Sequence, residues 1–184
     1  MRIKVAVLTV LLCLFSLSIS AQHLSFMGIP LNCTIDQFQT QLAGKGVYPE
    51  VEMNRSLPFG QRMFSGTFVG YPCQIALFYN NNRIVYQARV AYGNSSESFV
   101  DVFYSDIQSS LAAKYSGCRT VSDTFTGYPS FAILVTNNEG YNIGMIGISK
   151  TRLEALGITV YTSVVDYYDW INGYSEIMRR WNDL

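Results

Sequence analysis

A hexapeptide that occurs twice constrains this chain more than any other feature. Thr67-Phe68-Val69-Gly70-Tyr71-Pro72 returns as Thr124-Phe125-Thr126-Gly127-Tyr128-Pro129, five identities in six, 57 residues later. The same offset relates Leu77 to Leu134 and Asn80-Asn81 to Asn137-Asn138. Glycine reaches backbone angles closed to other residues, and the residue before proline is pushed to extended geometry. Each copy therefore predicts a tight turn between two strands. Asn80-Asn81-Asn82 and Asn137-Asn138-Glu139-Gly140, set between alternating apolar runs, predict a second hairpin in each copy. Two meanders of strand, turn, strand, turn, strand follow, and the pair predicts a duplicated unit.

A helix is expected before each meander. Thr34-Ile35-Asp36-Gln37 has the capping-box form, Ile35, Phe38 and Leu42 fall on one face, and Gly44-Lys45-Gly46 ends the segment. The second helix opens at Asn94-Ser95-Ser96-Glu97. Val100, Phe103, Tyr104, Ile107, Leu111 and Tyr115 recur at helical steps before Gly117 stops it. Residues 47–61, with Pro49, Pro58 and Gly60, read as a long loop. A last strand is expected over 157–168, with Ile158, Val160 and Val164 on one face. Its other face carries Thr159, Tyr161, Ser163, Val165 and Tyr167. In the tail, 169–184, Trp170, Tyr174, Ile177 and Trp181 form a helical stripe that Gly173 weakens by about 1 kcal/mol.

Short links force antiparallel neighbours. The expected fold class is therefore α+β: an antiparallel twisted sheet built from two helix-plus-β-meander repeats, 32–92 and 94–168, with helices on one face and a C-terminal helix. The second face is left partly open. In the strand that ends the first meander, Ile84, Tyr86, Ala88, Val90 and Tyr92 are expected to face the helices, and Val85, Gln87, Arg89 and Ala91 to face away.

Compartment follows from the first residues. Met1-Arg2-Ile3-Lys4, an apolar run over 5–15 and Ser16-Leu17-Ser18-Ile19-Ser20-Ala21 have the form of a secretory signal peptide cleaved after Ala21. The apolar run is about 11 residues, well short of the roughly 20 that span a bilayer. Cys13 is not read as a lipidation site, because Leu12 stands where such sites want a small residue. The product expected is one secreted or periplasmic domain, 22–184, with no further membrane span. Without Arg2 and Lys4 it carries 11 basic against 13 acidic residues, so no basic field is available to hold a nucleic acid. Export permits one disulfide among Cys33, Cys73 and Cys118. Cys73 and Cys118, each at the start of a strand, are the expected pair, and Cys33 is the odd thiol.

The chemistry that the residues allow is narrow. His23 is the single histidine, which excludes a two-histidine metallohydrolase pattern, and it is expected to be an uninvolved terminal residue. Gly140, Gly144 and Gly147 fall inside a strand pattern rather than in a phosphate-binding loop. No catalytic, cofactor-binding or metal-ligating residue is identified, and no cofactor is implied. Gln87 and Arg89 with Tyr161 and Tyr167 form the candidate binding face, since arginine and aromatics are favoured at interface hot spots. The expected function is a non-catalytic binding or inhibitor-like module for a protein or a glycan. The alternatives are a hydrolase using two of Asp101, Asp106, Asp123, Glu139, Asp166 and Asp169, or a structural subunit of an envelope assembly.

The tandem helix-plus-meander order resembles the β-lactamase-inhibitor-protein-like architecture. The opening Met27-Gly28-Ile29-Pro30-Leu31-Asn32-Cys33-Thr34-Ile35-Asp36-Gln37-Phe38, with the Gly-Tyr-Pro hairpin, resembles small secreted proteins of gut Bacteroidetes that have no assigned activity. These resemblances imply an exported α+β domain and carry over no functional residue.

Overall fold

The computed structural model describes residues 23–125, 128–155, 158–174 and 176. The expected signal peptide and its cleavage site lie outside the described residues, as do Ile177 and Trp181 of the tail. A small hairpin of β1 (Ser25–Phe26) and β2 (Ile29–Pro30) leads into helix α1 (Ile35–Ala43), strand β3 (Tyr48–Pro49) and helix α2 (Val51–Ser56). Strands β4 (Gln61–Phe68), β5 (Tyr71–Tyr79) and β6 (Val85–Asn94) form the first meander. Helix α3 (Glu97–Lys114) crosses to β7 (Arg119–Phe125), β8 (Tyr128–Thr136), β9 (Asn142–Ala155) and β10 (Ile158–Asp169), and the backbone is helical again over 170–174 and at 176. The main sheet has eight antiparallel strands in the order β3-β4-β5-β6-β10-β9-β8-β7. The architecture is thus α+β, and its two meanders meet where β6 pairs with β10.

Local chemistry explains the boundaries. The Thr34 hydroxyl accepts the Gln37 N–H (3.4 Å) while the Gln37 amide oxygen accepts the Thr34 N–H (3.1 Å), so the capping box starts α1. The β4–β5 turn is Val69–Gly70, with φ of 51° and 86°, the doubly positive backbone of a type I′ hairpin. Tyr71 and Pro72 open β5 rather than forming the turn. Pairing in the two meanders keeps the offset of the hexapeptides. Thr67 faces Pro72 as Thr124 faces Pro129, and a bulge follows Phe78 in one and Val135 in the other. In both Asn-rich turns the first asparagine side chain accepts two backbone N–H groups, Asn80 from Asn82 and Ile84, Asn137 from Glu139 and Tyr141. The segments ahead of the meanders differ: α1, β3 and α2 precede β4, and α3 alone precedes β7.

The bulge changes which side chains are inside. Val85 stands opposite Tyr79 and is fully buried in the core, whereas Tyr86, expected inside, packs edge-on against Tyr168. Beyond the bulge the expected alternation holds, and Ala88, Val90 and Tyr92 join the core. Residues 47–61 are more ordered than a loop. The Asn54 side chain pairs with the backbone of Met63, donating to its carbonyl (2.8 Å) and accepting its N–H (2.6 Å), so α2 seals the sheet edge beside β3.

One face of the sheet is covered. Ile35, Phe38 and Leu42 of α1 and Val100, Phe103, Tyr104, Ile107 and Leu111 of α3 are buried there. The β1–β2 hairpin adds Phe26, which stacks on Phe68 (5.7 Å) and meets Tyr167 edge-on (5.2 Å). Each such large side chain contributes about 1.5–3 kcal/mol by leaving water.

Cys33, Cys73 and Cys118 are free thiols, so the expected Cys73–Cys118 bridge is absent. Cys73 lies on β5 and Cys118 just ahead of β7, five strand positions away. At ~4.8 Å per strand that is about 24 Å along the sheet, far beyond the Cα separation a disulfide allows. Burial pushes the Cys73 thiol up to about 11. His23 is likewise not idle. Its Nδ1 lies 3.1 Å from the fully buried Asp169 carboxylate, which also accepts the N–H groups of Leu24 and Asn172. Gly173 has a packing reason: the Tyr168 ring fills the space a Cβ would need, and the Tyr168 hydroxyl donates to its carbonyl (2.9 Å). Among the described residues no helix is long and apolar enough to cross a membrane.

Candidate functional site

In an antiparallel sheet directly opposed residues share a face, so the register lays out the surface turned away from α1 and α3. One row runs Ser65, Gln74, Ala91, Val164, Ser149, Ser130, Asp123 across seven strands. The next runs Met63, Ala76, Arg89, Asp166, Gly147, Ala132, Val121. Small side chains dominate both rows, which leaves the surface hollow. A Cβ built on Gly147 would meet nothing within 4 Å.

Arg89 and Asp166 mark the middle of this face. Arg89 Nε and Nη2 donate to the two Asp166 oxygens at 2.9 and 3.1 Å, and Gln87 Nε2 donates to Asp166 Oδ1 at 2.8 Å. The guanidinium also lies 5.7 Å above the Phe78 ring. An ion pair this exposed adds little stability, about 0–1 kcal/mol. Its fork geometry instead fixes the orientation of Arg89 and Asp166 at the surface above the buried Gln87 amide.

The four residues expected to form one binding face are divided between the two. Gln87 and Arg89 stand on the open face. Tyr167 is buried among Phe26 and Phe68, where burial raises its phenol above the usual tyrosine range, and Tyr161 packs against the same core. The reason is register: Arg89 is opposite Asp166 and Gln87 is opposite Tyr168, so Tyr167 points the other way. Phe78, Asp166 and Tyr168 are the true neighbours of the polar pair. The β5–β6 hairpin brings Phe78, but only the pairing of β6 with β10 identifies Asp166 and Tyr168, and no local pattern in the chain encodes that pairing.

Among the described residues, hollows open on this face on each side of Val164. The larger, about 870 Å³, is lined by the hydroxyl and amide side chains of Ser65, Thr67, Gln74 and Thr162 over a floor of Ala91, Gly93 and Val160, with Asn94 and Ser95 at its end, and among the described residues no charged one lines it. The smaller, about 200 Å³, lies between Asp123, Ser130, Ser149 and Asp166. A third, apolar hollow of about 430 Å³ opens on the helix side between Met27, Phe68, Val69, Ile107, Leu111 and Tyr167, with Lys45 and Lys114 beside it.

The candidate carboxylates are dispersed. Asp101 binds Lys150 on the helix side, Asp106 accepts the Tyr71 hydroxyl, Glu139 is in an exposed turn, and Asp169 is buried near His23. Asp123 and Asp166 share the smaller hollow but stand three strands apart, about 14 Å by strand spacing. The carboxylate pairs of glycoside hydrolases are roughly 5–9.5 Å apart. Gly140 closes the β8–β9 turn at φ 84°, and Gly144 is placed where a Cβ would strike the Tyr168 carbonyl, so neither belongs to a ligand loop. Among the described residues no three His, Cys, Asp or Glu side chains gather as a metal site. Comparison with protein-family models, with curated proteins and with solved structures gives no match to this chain.

Proposed function

We infer that the protein is a non-catalytic binding module that acts outside the cytoplasm and holds a neutral, hydroxyl-rich glycan on its open sheet face. The observation that carries this reading is the larger hollow, whose walls offer the hydroxyls of Ser65, Thr67 and Thr162 and the carboxamide of Gln74 and, among the described residues, no charged group. Such a lining offers both donors and acceptors to sugar hydroxyls and gives an anion or a cation nothing to neutralise. The Arg89–Asp166 fork and Tyr168 lie on the same face and extend the polar surface toward its centre. Wide separation of Asp123 from Asp166 favours binding over hydrolysis. Placement outside the cytoplasm rests on the signal-peptide pattern of residues 1–21.

The test is an array of neutral oligosaccharides, followed by calorimetry on whichever one binds. Gln74→Ala removes an amide and Thr162→Val a hydroxyl from the wall, and each is expected to weaken binding about tenfold, while Lys45→Ala on the opposite face leaves it unchanged. Failure of every neutral oligosaccharide to bind, or binding indifferent to the two wall variants, would end this reading.

A further inference from the structure

The two edges of the sheet are built differently. At one, β3 is two residues long, contains Pro49 and is followed at once by α2, whose Asn54 occupies the backbone of β4. A short strand, a proline and a covering element are the usual devices against edge-to-edge pairing. At the other edge β7 runs seven residues, Arg119–Phe125, with no proline and no lysine. Among the described strands only β8 pairs with it. Residues 119–123 are all exposed, and Val121 keeps 45% of its surface in water.

The register shows what this edge presents. Pro129, which has no N–H, stands opposite Thr124, so that pair is the one without hydrogen bonds. Alternation then turns the N–H and C=O groups of Arg119, Val121 and Asp123 toward β8. The Ser130 hydroxyl, which donates to the Asp123 carbonyl at 3.1 Å, agrees with that direction. The backbone groups of Thr120, Ser122 and Thr124 point outward, ready for another strand. On the open face above them the side chains read Arg119, Val121, Asp123: a cation, an apolar residue and an anion in even steps.

That order is complementary to itself. An antiparallel copy centred on Val121 sets valine against valine and Arg119 of each copy against Asp123 of the other. Moving the centre one residue either way puts Val121 opposite a charge. We propose that β7 is a dimerisation edge, at which two copies pair antiparallel about Val121 through their outward backbone groups and two reciprocal Arg119–Asp123 ion pairs. The two-fold axis stands perpendicular to the sheet, so one continuous sheet results with both open faces on the same side.

Sedimentation velocity and light scattering over a range of concentrations read the outcome. The purified protein is expected to be a dimer that dissociates on dilution. Ser122→Pro takes away an outward N–H and none of the β7–β8 bonds, and is expected to give a monomer. Arg119→Asp and Asp123→Arg each place like charges opposite one another and are expected to weaken self-association about tenfold or more. Mixing those two variants restores the opposite-charge pairs and is expected to restore the dimer. A monomer at every concentration overturns the proposal. So does a dimer that Ser122→Pro leaves intact, or one in which neither charge reversal weakens association and the mixture does no better than its parts. Thermal melting of each variant separates loss of pairing from loss of fold.

Discussion

Val69 occupies a conformation its side chain opposes. At φ 51° in a type I′ turn, a β-branched residue crowds the backbone, where asparagine or glycine is at ease. The side chain is more than half exposed, so little packing compensates. Val69→Asn is therefore expected to stabilise the protein by about 0.5–1.5 kcal/mol, read as a rise in the urea midpoint; a fall would show that Val69 is held by the neighbouring apolar hollow. The hexapeptide made this turn legible, because glycine and proline act over one or two residues. Gly66 was not legible. A Cβ there would lie 2.6 Å from a Val47 methyl and 2.9 Å from its Cα, a contact between segments nineteen residues apart that no local pattern announces.

At the scale of elements, α3 starts without help from its own cap: Ser96 makes no side-chain capping bond. The start is held instead from the sheet. Lys150 on β9, buried with its side chain 8% exposed, donates to Glu97 (2.8 Å) and Asp101 (2.5 Å) in the first turns of the helix. Burial by itself lowers the pKa of Lys150, but the two carboxylates outweigh it, and the net shift is upward. A raised pKa means the folded state holds this proton more tightly than the unfolded chain. The contribution is therefore complete below the ordinary lysine value of 10.5 and is lost as pH rises through the folded value. Exchanging both carboxylates, Glu97→Gln with Asp101→Asn, takes these two counter-charges from a buried ammonium and is expected to cost about 1–3 kcal/mol at pH 7. Lys150→Met is expected to cost less, since the carboxylates it frees are half exposed. Denaturant titration of the two variants checks the order. The helices themselves were readable from three- and four-residue apolar steps. The inside-outside parity of Val85 and Tyr86 was not, because one bulged residue reverses the alternation and leaves no mark in composition.

Across the whole molecule, distant segments are tied together by Asp169. Its buried carboxylate accepts the backbone N–H of Leu24 and of Asn172 and lies against His23, while Asn172 donates to the Leu31 carbonyl at 2.6 Å. Burial is the largest influence on this group and raises its pKa above 3.8 despite those partners. For a group whose folded pKa is raised, the favourable contribution is present below the unfolded value and disappears as pH climbs through the folded value. The stability of the wild type relative to Asp169→Asn is thus expected to be greatest near pH 3 and to decline toward neutrality, in paired urea titrations across that range. A difference that instead grows with pH would reverse the sign argued for this carboxylate. Element order and sheet class were legible at this scale because short links leave antiparallel pairing as the only choice. The central join was not. Asn94 faces Tyr161 and Gln87 faces Tyr168 across long stretches of chain, and on that register depended which aromatics share a face with Arg89.

The same join has a meaning in time. Within each meander every strand pairs with its neighbour in sequence, so those contacts close short loops, and hairpins of this kind form in about 1–10 microseconds. The β6–β10 ladder must instead enclose α3 and three strands before its first bond is made. Loop-closure entropy opposes that step until both margins already exist as templates. The middle of the finished sheet is thus the place where the folding chain is slowest to meet itself, and until then β6 and β10 are both raw edges.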